Sequence, residues 1–360
     1  MKNNIRWLRD KLKSLNLEGM IVSNPINIRY LTDIVAEGTL IITPKDNIFI
    51  TDARYTEMVN SMLTIEDEIV VYDMKDISAY DYESFFDFCE NVGFEENYVT
   101  YGGYKKIMQR YKIHNLEETE NIIEKQRMIK DKKEIDLIRK ACEITDDCFK
   151  YICNFIKVGQ TEKQIARKID EYFYEHSDGI SFDTIVASGK NGSKPHAIPT
   201  NKRIEVGDAI TIDMGCIYKG YHSDMTRTIF VREVKDDIKE IYDLVLKNQL
   251  EVISEIREGS SFKQISKNVE NDFALADARL VHALGHGVGL DVHELPVISS
   301  KTDQIVKNNM VFTDEPGIYI PEKFGVRIED TIAFYEGKCD VLTKSDKDYV
   351  IVDKRDGKNF

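Results

Sequence analysis

Apolar residues at Ile5, Leu8, Leu12 and Leu15 recur at the spacing of one helix face, which predicts an amphipathic helix over residues 5–17. The apolar run GMIVS follows as a short strand. TLIITPKDNIFIT then reads as a hairpin, with two β-rich runs around Pro44-Lys45-Asp46-Asn47. Residues 52–62 carry a helical pattern, EIVVYDM that of a strand, and YESFFDFCENV that of another helix. This alternation predicts a small α/β domain ending near residue 125.

Beyond RMIKDKKEIDLIRKA the pattern lengthens. Ile135, Ile138, Cys142 and Cys148 mark a long helix over 131–157. A second helix is predicted over 161–176, with Ile165, Ile169 and Phe173 on one face and a capping box formed by Thr161 and Gln164. Residues 180–232 read as strand-rich and 236–276 as helical. From 280 onward, short strands alternate with Gly and Pro turns. No low-complexity segment and no internal repeat stands out. At ~150 residues per domain, 360 residues fit two domains, here 1–125 and 126–360.

Charge narrows the classes of partner. Lys+Arg minus Asp+Glu is 49 − 63 = −14, which argues against a nucleic-acid binder, because neutralising phosphates takes a basic face. No apolar run approaches the length of a membrane span, and MKNNIRWLRDKLKSL lacks the apolar core of a signal peptide. Six cysteines without a C-x-x-C pair read as reduced, buried thiols of a cytoplasmic protein.

Six of the seven histidines fall between His176 and His293, so the chemistry is expected in the second domain. In AITIDMGCIYKGYHSDMTRTIFV, two strand-like runs flank a turn. Centred between Tyr218 and Lys219, that turn would set Asp213 opposite Asp224, ~4.5–5.5 Å apart at Cβ. Two carboxylates so placed repel unless a cation lies between them. FTDEPGIYIPEKFGVRIEDTIAF repeats the layout, with Glu315 and Glu329 at the outer ends of a second hairpin. Asp314, beside Glu315, would point to the other face by strand alternation. His282, His286 and His293 stand in the glycine-rich run VHALGHGVGLDVHELP, which has neither the zincin nor the dinucleotide spacing. His196 adds another imidazole in a loop between Pro195 and Pro199.

Four carboxylates carry −4 and two divalent cations +4, while one neutral imidazole adds a nitrogen ligand. That set suits a pair of Mn²⁺, Fe²⁺, Co²⁺ or Zn²⁺ ions. Two such ions can share a water, lower its pKa and clamp an attacked carbonyl, which is hydrolytic chemistry.

These segments also resemble the pita-bread metallopeptidases, in the Xaa-Pro aminopeptidase and prolidase group. The resembling pieces are RMIKDKKEIDLIRKA, FDTIVASGKNGSKPHA, VGDAITIDMG, HSDMTRT, HALGHGVGLDVHE, TDEPGIYIP and GVRIED, with SNPINIRYLT and TDARYTE like a creatinase-type N-terminal domain. The resemblance implies an α/β N-terminal domain and an α+β pita-bread catalytic domain. It implies Asp213, Asp224, His286, Glu315 and Glu329 as ligands of two divalent ions, manganese foremost, with Glu315 also accepting a proton. It makes His196 and His293 contacts of the scissile carbonyl, and places His282, Tyr319 and Arg327 in or behind the substrate pocket. The implied activity is removal of an N-terminal residue that precedes proline in short peptides, by a cytoplasmic homodimer. The alternatives within the fold are a prolidase, a broader methionyl aminopeptidase, a creatinase-type amidinohydrolase and a metal-free binding module.

Overall fold

A computed structural model describes residues 3–354, and the chain divides into two units between Arg127 and Met128. In the first unit the short apolar runs pair into one sheet. Its strands are β1 (Gly19–Val22), β2 (Thr39–Ile42), β3 (Asn47–Thr51), β4 (Val70–Asp73), β5 (Asn91–Phe94) and β6 (Asn115–Glu118). They lie in the order β4-β3-β2-β1-β5-β6. The β2–β3 hairpin is antiparallel, as its sequence predicts, and β5 pairs in parallel with β1 and β6. Helices α1 (Asn3–Ser14), α2 (Pro25–Thr32), α3 (Ala53–Met62), α4 (Ala79–Ser84), α5 (Tyr101–Tyr111) and α6 (Ile122–Arg127) complete the unit. The helix predicted over YESFFDFCENV is a correction. Only Tyr82-Glu83-Ser84 lie in α4, and Asn91-Val92 open β5. Val92 and Phe94 are buried in the sheet core, so tertiary burial outweighs the local helical spacing there.

The second unit contains four long helices: α7 (Lys132–Phe155), α8 (Glu162–His176), α9 (Asp236–Glu255) and α10 (Phe262–Leu275). The helical stretch predicted over 236–276 is thus two helices. It breaks where Gly259 takes φ of 83°, a left-handed conformation that a helix interior does not contain. A four-stranded sheet has the order β20-β12-β9-β8, formed by β8 (Ile185–Ser188), β9 (Ala209–Met214), β12 (Met225–Val231) and β20 (Ile351–Val352). A five-stranded sheet has the order β14-β13-β15-β18-β19, from β13 (Gly285–Gly287), β14 (Glu294–Ile298), β15 (Met310–Asp314), β18 (Asp330–Tyr335) and β19 (Lys338–Val341). Smaller pairings join β10 (Cys216–Tyr218) to β7 (Gly179–Ile180) and β11 (Tyr221–His222), and β16 (Gly317–Ile320) to β17 (Phe324–Arg327).

The two halves of this unit repeat one plan, which inspection of the sequence passes over. Ile152, Ile165, Ile169 and Phe173 of α7 and α8 pack with Ile210, Ile212 and Ile229. Val252, Ile265, Val269 and Phe273 of α9 and α10 pack with Phe312, Ile332 and Phe334. In each half a left-handed glycine, Gly159 or Gly259, ends the turn after the first helix. In each half a lone antiparallel bridge, Thr161 to Arg203 or Ser261 to Ile305, ties the second helix's start to the segment ahead.

Candidate functional site

Each half delivers a pair of carboxylates on a hairpin. In the first, the turn lies one residue later than its spacing predicts. Lys219 and Gly220 both have positive φ, 49° and 85°, as a two-residue hairpin turn requires, so Tyr218 pairs with Tyr221. Asp213 therefore faces Thr226 and not Asp224, which sits just ahead of β12. The shift is an even number of residues, and an even shift keeps a side chain on its side of the sheet. Both aspartates still reach the same cleft. In the second hairpin one register runs unbroken from Met310 opposite Phe334 to Asp314 opposite Asp330, and resumes at Gly317 opposite Arg327. That register sets Glu315 across from Glu329.

These side chains line a cleft of about 550 Å³ together with His196, His282, His286, His293 and Arg327. Asp224 and Glu329 are buried, and the oxygens of both lie within 4.8 Å of each other and of a His286 nitrogen. His286 Nε2 stands 3.5 Å from Asp224 Oδ2 and 3.5 Å from Glu315 Oε1. Burial, then the charges of Glu329, Asp213 and Glu315, push Asp224 well above the usual carboxylate range. Glu329 is pushed up by burial and by Glu315 and Asp213. Burial lifts Glu315 to about 7, against the opposing pull of Arg327.

Two details show that this donor set fits cations. Burial lowers His286 to about 4, so the ring is neutral. Its Nδ1 lies 3.1 Å from the Gly287 carbonyl, which can only accept, so Nδ1 carries the proton. The lone pair of Nε2 then points at two carboxylate oxygens, an arrangement that a metal ion satisfies. In addition, Asp213 Oδ1 is buried without a hydrogen-bond partner, the state expected of an oxygen reserved for a ligand.

Arg327 and Tyr319 stand behind the carboxylates. Arg327 donates to Asp213 Oδ2 (2.5 Å), Tyr319 Oη (2.7 Å), Thr226 Oγ1 (3.0 Å) and the Pro195 carbonyl (3.2 Å). Thr226 Oγ1 in turn donates to Glu329 Oε2 at 2.6 Å. His282 is lowered to about 4 by burial, and its Nδ1 donates to the Ala283 carbonyl at 2.7 Å. Its Nε2 therefore accepts from Tyr319 Oη at 3.0 Å. His293 meets His286 edge to face, with centroids 4.1 Å apart. His196 is exposed on the cleft wall.

Asp314 faces away from this cluster, where it opposes Asp330, and both of its carboxylate oxygens are buried without a hydrogen-bond partner. Burial, reinforced by Asp330, pushes it well above the ordinary range. Asp330 is instead paired with Arg227 (2.7 Å) and Lys347 (2.6 Å), and Arg227 also donates to the Glu329 carbonyl. This buried network fixes the backbone at a proposed ligand, yet nothing local in the sequence announces it. The same holds for Lys130, whose Nζ pairs with Glu294 Oε1 at 2.6 Å, with the two side chains 1% and 4% exposed. That pair anchors the residue next to His293. Phe182, Ile185, Ile198 and Val297 supply apolar lining that sequence reasoning passes over.

Among the described residues, no helix is long and apolar enough to cross a membrane. Residues 136–336 match the family described as Metallopeptidase family M24, and residues 5–129 match the Creatinase/Prolidase N-terminal domain. The chain is 36% identical to the uncharacterized peptidase YqhT of Bacillus subtilis, over 96% of this chain and 99% of that one. An Xaa-Pro dipeptidase from Bacillus anthracis superposes with a TM-score of 0.91 at 32% identity, covering 97% of this chain and 99% of that one. An X-Pro aminopeptidase from Thermotoga maritima superposes with a TM-score of 0.86 at 29% identity, covering 95% and 100%. The chain with four carboxylates and a neutral imidazole in its cleft thus belongs to metallopeptidase family M24, in the Xaa-Pro dipeptidase and aminopeptidase group, with a creatinase-type N-terminal domain and a pita-bread catalytic domain.

Proposed function

We propose that this peptidase is an aminopeptidase that hydrolyses the bond between an N-terminal residue and a following proline in short peptides. The observation that carries the reading is the gathering of four carboxylates in one cleft, with Asp224, Glu315 and Glu329 around the unprotonated Nε2 of His286 and Asp213 on the same cleft's wall. Asp213, Asp224, His286, Glu315 and Glu329 would hold two divalent ions, with manganese as the leading choice among manganese, cobalt, zinc and iron. When bound, such a pair polarises a carbonyl and lowers the pKa of a shared water. Glu315 is the proton acceptor for that water. His196 and His293 contact the scissile carbonyl and assist proton transfer. His282, held by Tyr319, lines the space for the proline ring. Arg327 keeps Asp213 in place and offsets the local negative field. The family resemblance adds a cytoplasmic homodimer as the working form.

The bond before proline is a tertiary amide with no N–H, so recognition must come from the free α-amine and the ring. The cleft supplies carboxylates for the first and apolar walls for the second. Its arginine, Arg327, is engaged by four partners. No lysine is among the residues that line it. A dipeptide's terminal carboxylate calls for a cation of that kind, whereas a longer peptide's does not. The second reading, an Xaa-Pro dipeptidase, is favoured by the name of the Bacillus anthracis relative.

A metal-reconstitution series assayed on an Xaa-Pro-Xaa tripeptide and on the matching Xaa-Pro dipeptide separates the two. The tripeptide is expected to turn over faster; turnover of the dipeptide alone would establish the prolidase reading. Asp224→Asn should lose the coupled metal pair and about a thousandfold or more in rate. Wild-type activity in that variant would overturn the site.

A further inference from the structure

Glu162 is the first residue of α8, and its side chain is completely buried. Its carboxylate accepts five hydrogen bonds. Oε1 takes Ser188 N (2.7 Å) and Ser188 Oγ (2.8 Å). Oε2 takes Asn191 Nδ2 (2.9 Å), Thr200 N (2.9 Å) and Thr200 Oγ1 (2.7 Å). Five bonds from neutral donors at a helix N-terminus are a strong hold on one buried anion. They converge from the two ends of a single segment, residues 189–199, which carries His196. The same segment is held in its middle. Gly192 and Gly325 approach backbone to backbone so closely that a Cβ on Gly325 would stand 2.0 Å from the Gly192 carbonyl oxygen. Arg327, bonded to Asp213, reaches the Pro195 carbonyl from the carboxylate side.

The second half of the unit provides a comparison within the molecule. There Phe262 occupies the corresponding place, one residue after the capping hydroxyl of Ser261, and lies edge-on to Phe312 with centroids 5.1 Å apart. There β13 lies beside the hairpin as β8 does in the first half, and the stretch from β13 to the bridge, residues 288–304, contains β14 and His293 and is tied by the buried Lys130–Glu294 pair. Each half thus ties its histidine-bearing stretch with a buried charged side chain, Glu162 at the helix start in the first half and Lys130 in the second, which leaves position 262 to the core.

We infer that Glu162 is a positioning residue for the peptidase reaction: its carboxylate closes the base of the 189–199 loop and so fixes where His196 meets the scissile carbonyl. This rests on the role proposed above for His196. Removing the clamp lets the imidazole wander, and displacement of a catalytic group by about 1 Å costs on the order of a hundredfold in rate.

The test is a double-mutant cycle on the full-length, metal-reconstituted chain, with kcat and KM for an Xaa-Pro-Xaa tripeptide, metal content and thermal midpoint measured for each protein. Glu162→Gln keeps the size but turns an amide NH₂ toward the donors. It should lower kcat about a hundredfold with KM little changed and metal content intact. In a His196→Ala background the same change should cost less than about threefold, because the group it positions is gone. Losses that multiply in full, or a Glu162→Gln enzyme with wild-type kcat, would overturn the inference. If His196→Ala alone were fully active, the role of His196 itself would fall and the clamp's purpose with it, a different signature from either of those. Should Glu162→Gln fail to fold, Thr200→Val removes one hydroxyl bond. A smaller kcat loss that vanishes in the His196→Ala background supports the clamp, and an unchanged kcat overturns it.

Discussion

Glu162 and Phe262 each begin the second helix of their half, follow a hydroxyl cap, and sit beside a lone bridge to the segment ahead. One is a buried anion with five donors around it; the other is an aromatic ring in an apolar core. The backbone plan is shared, so the difference lies in what each position has to hold. A hydrophobic contact is non-directional and suits a packed interior. Hydrogen bonds are directional and suit a loop that must present one imidazole at one place. At this pair of positions the duplicated scaffold therefore separates two jobs, stability and placement.

Phe262→Ala gives the largest contrast. Emptying a fully buried aromatic site costs about 3–5 kcal/mol, which a shift in the urea midpoint would register. The folded, metal-loaded enzyme should keep its kcat within about twofold, since Phe262 holds core and not cleft. A kcat loss like that expected of Glu162→Gln would erase the distinction between the halves.

How much of this was readable beforehand depends on how local each signal is. The helices near residues 5–17, 131–157 and 161–176 and the capping box at Thr161 follow from periodicity and neighbours in sequence, and the structure contains them. The four carboxylates were legible because two hairpins bring near-neighbours together, with the first register off by one turn residue that the φ angles of Lys219 and Gly220 reveal; His286, on β13 outside both hairpins, was singled out among the histidines by the family resemblance. Glu162 was not legible. An acid in a helix's first turn is commonplace, and its partners lie 26 to 38 residues away. Lys130 and Glu294 are 164 residues apart. The repeat did leave a trace, since Ile156, Gly159, Lys163, Gln164, Ile165 and Phe173 recur as Ile256, Gly259, Lys263, Gln264, Ile265 and Phe273. The matches are too scattered to stand out without the shared bridges.

Metal removal tests the cluster that both halves build. In ion-free protein Asp224, Glu315 and Glu329 are all raised, so the folded state binds more protons than the unfolded one above the ordinary glutamate value. Stability then falls as pH rises. His282 and His286 are lowered to about 4, so below about pH 6.5 they act in the opposite sense, and their contribution grows as pH rises toward that value. Above it they are neutral in both states and only the carboxylates remain. Chelated protein should therefore lose several degrees of thermal midpoint between about pH 6.5 and pH 8. Metal-loaded protein should lose much less over the same window. Parallel curves would show that ions do not relieve the repulsion between the halves.

The smallest expected effect lies at the two helix caps. Thr161 Oγ1 accepts from Gln164 N at 3.2 Å, and the Thr161 N–H donates to Gln164 Oε1 at 2.8 Å, so the box is closed. Ser261 accepts from Gln264 N at 3.3 Å, but the Gln264 side chain bonds Asn268 instead. The Thr161 hydroxyl also donates to Gln164 Oε1 at 3.3 Å, so its loss removes a link that Ser261 does not make. Thr161→Ala should therefore cost about 1 kcal/mol and Ser261→Ala about half of that. Because Thr161 sits next to Glu162, its loss should also lower kcat slightly, whereas Ser261→Ala should leave kcat untouched. Urea midpoints and tripeptide rates on the same two preparations would show whether placement and stability part company even at this scale. An equal kcat for both variants would confine the clamp to the Glu162 carboxylate and leave the helix start out of it.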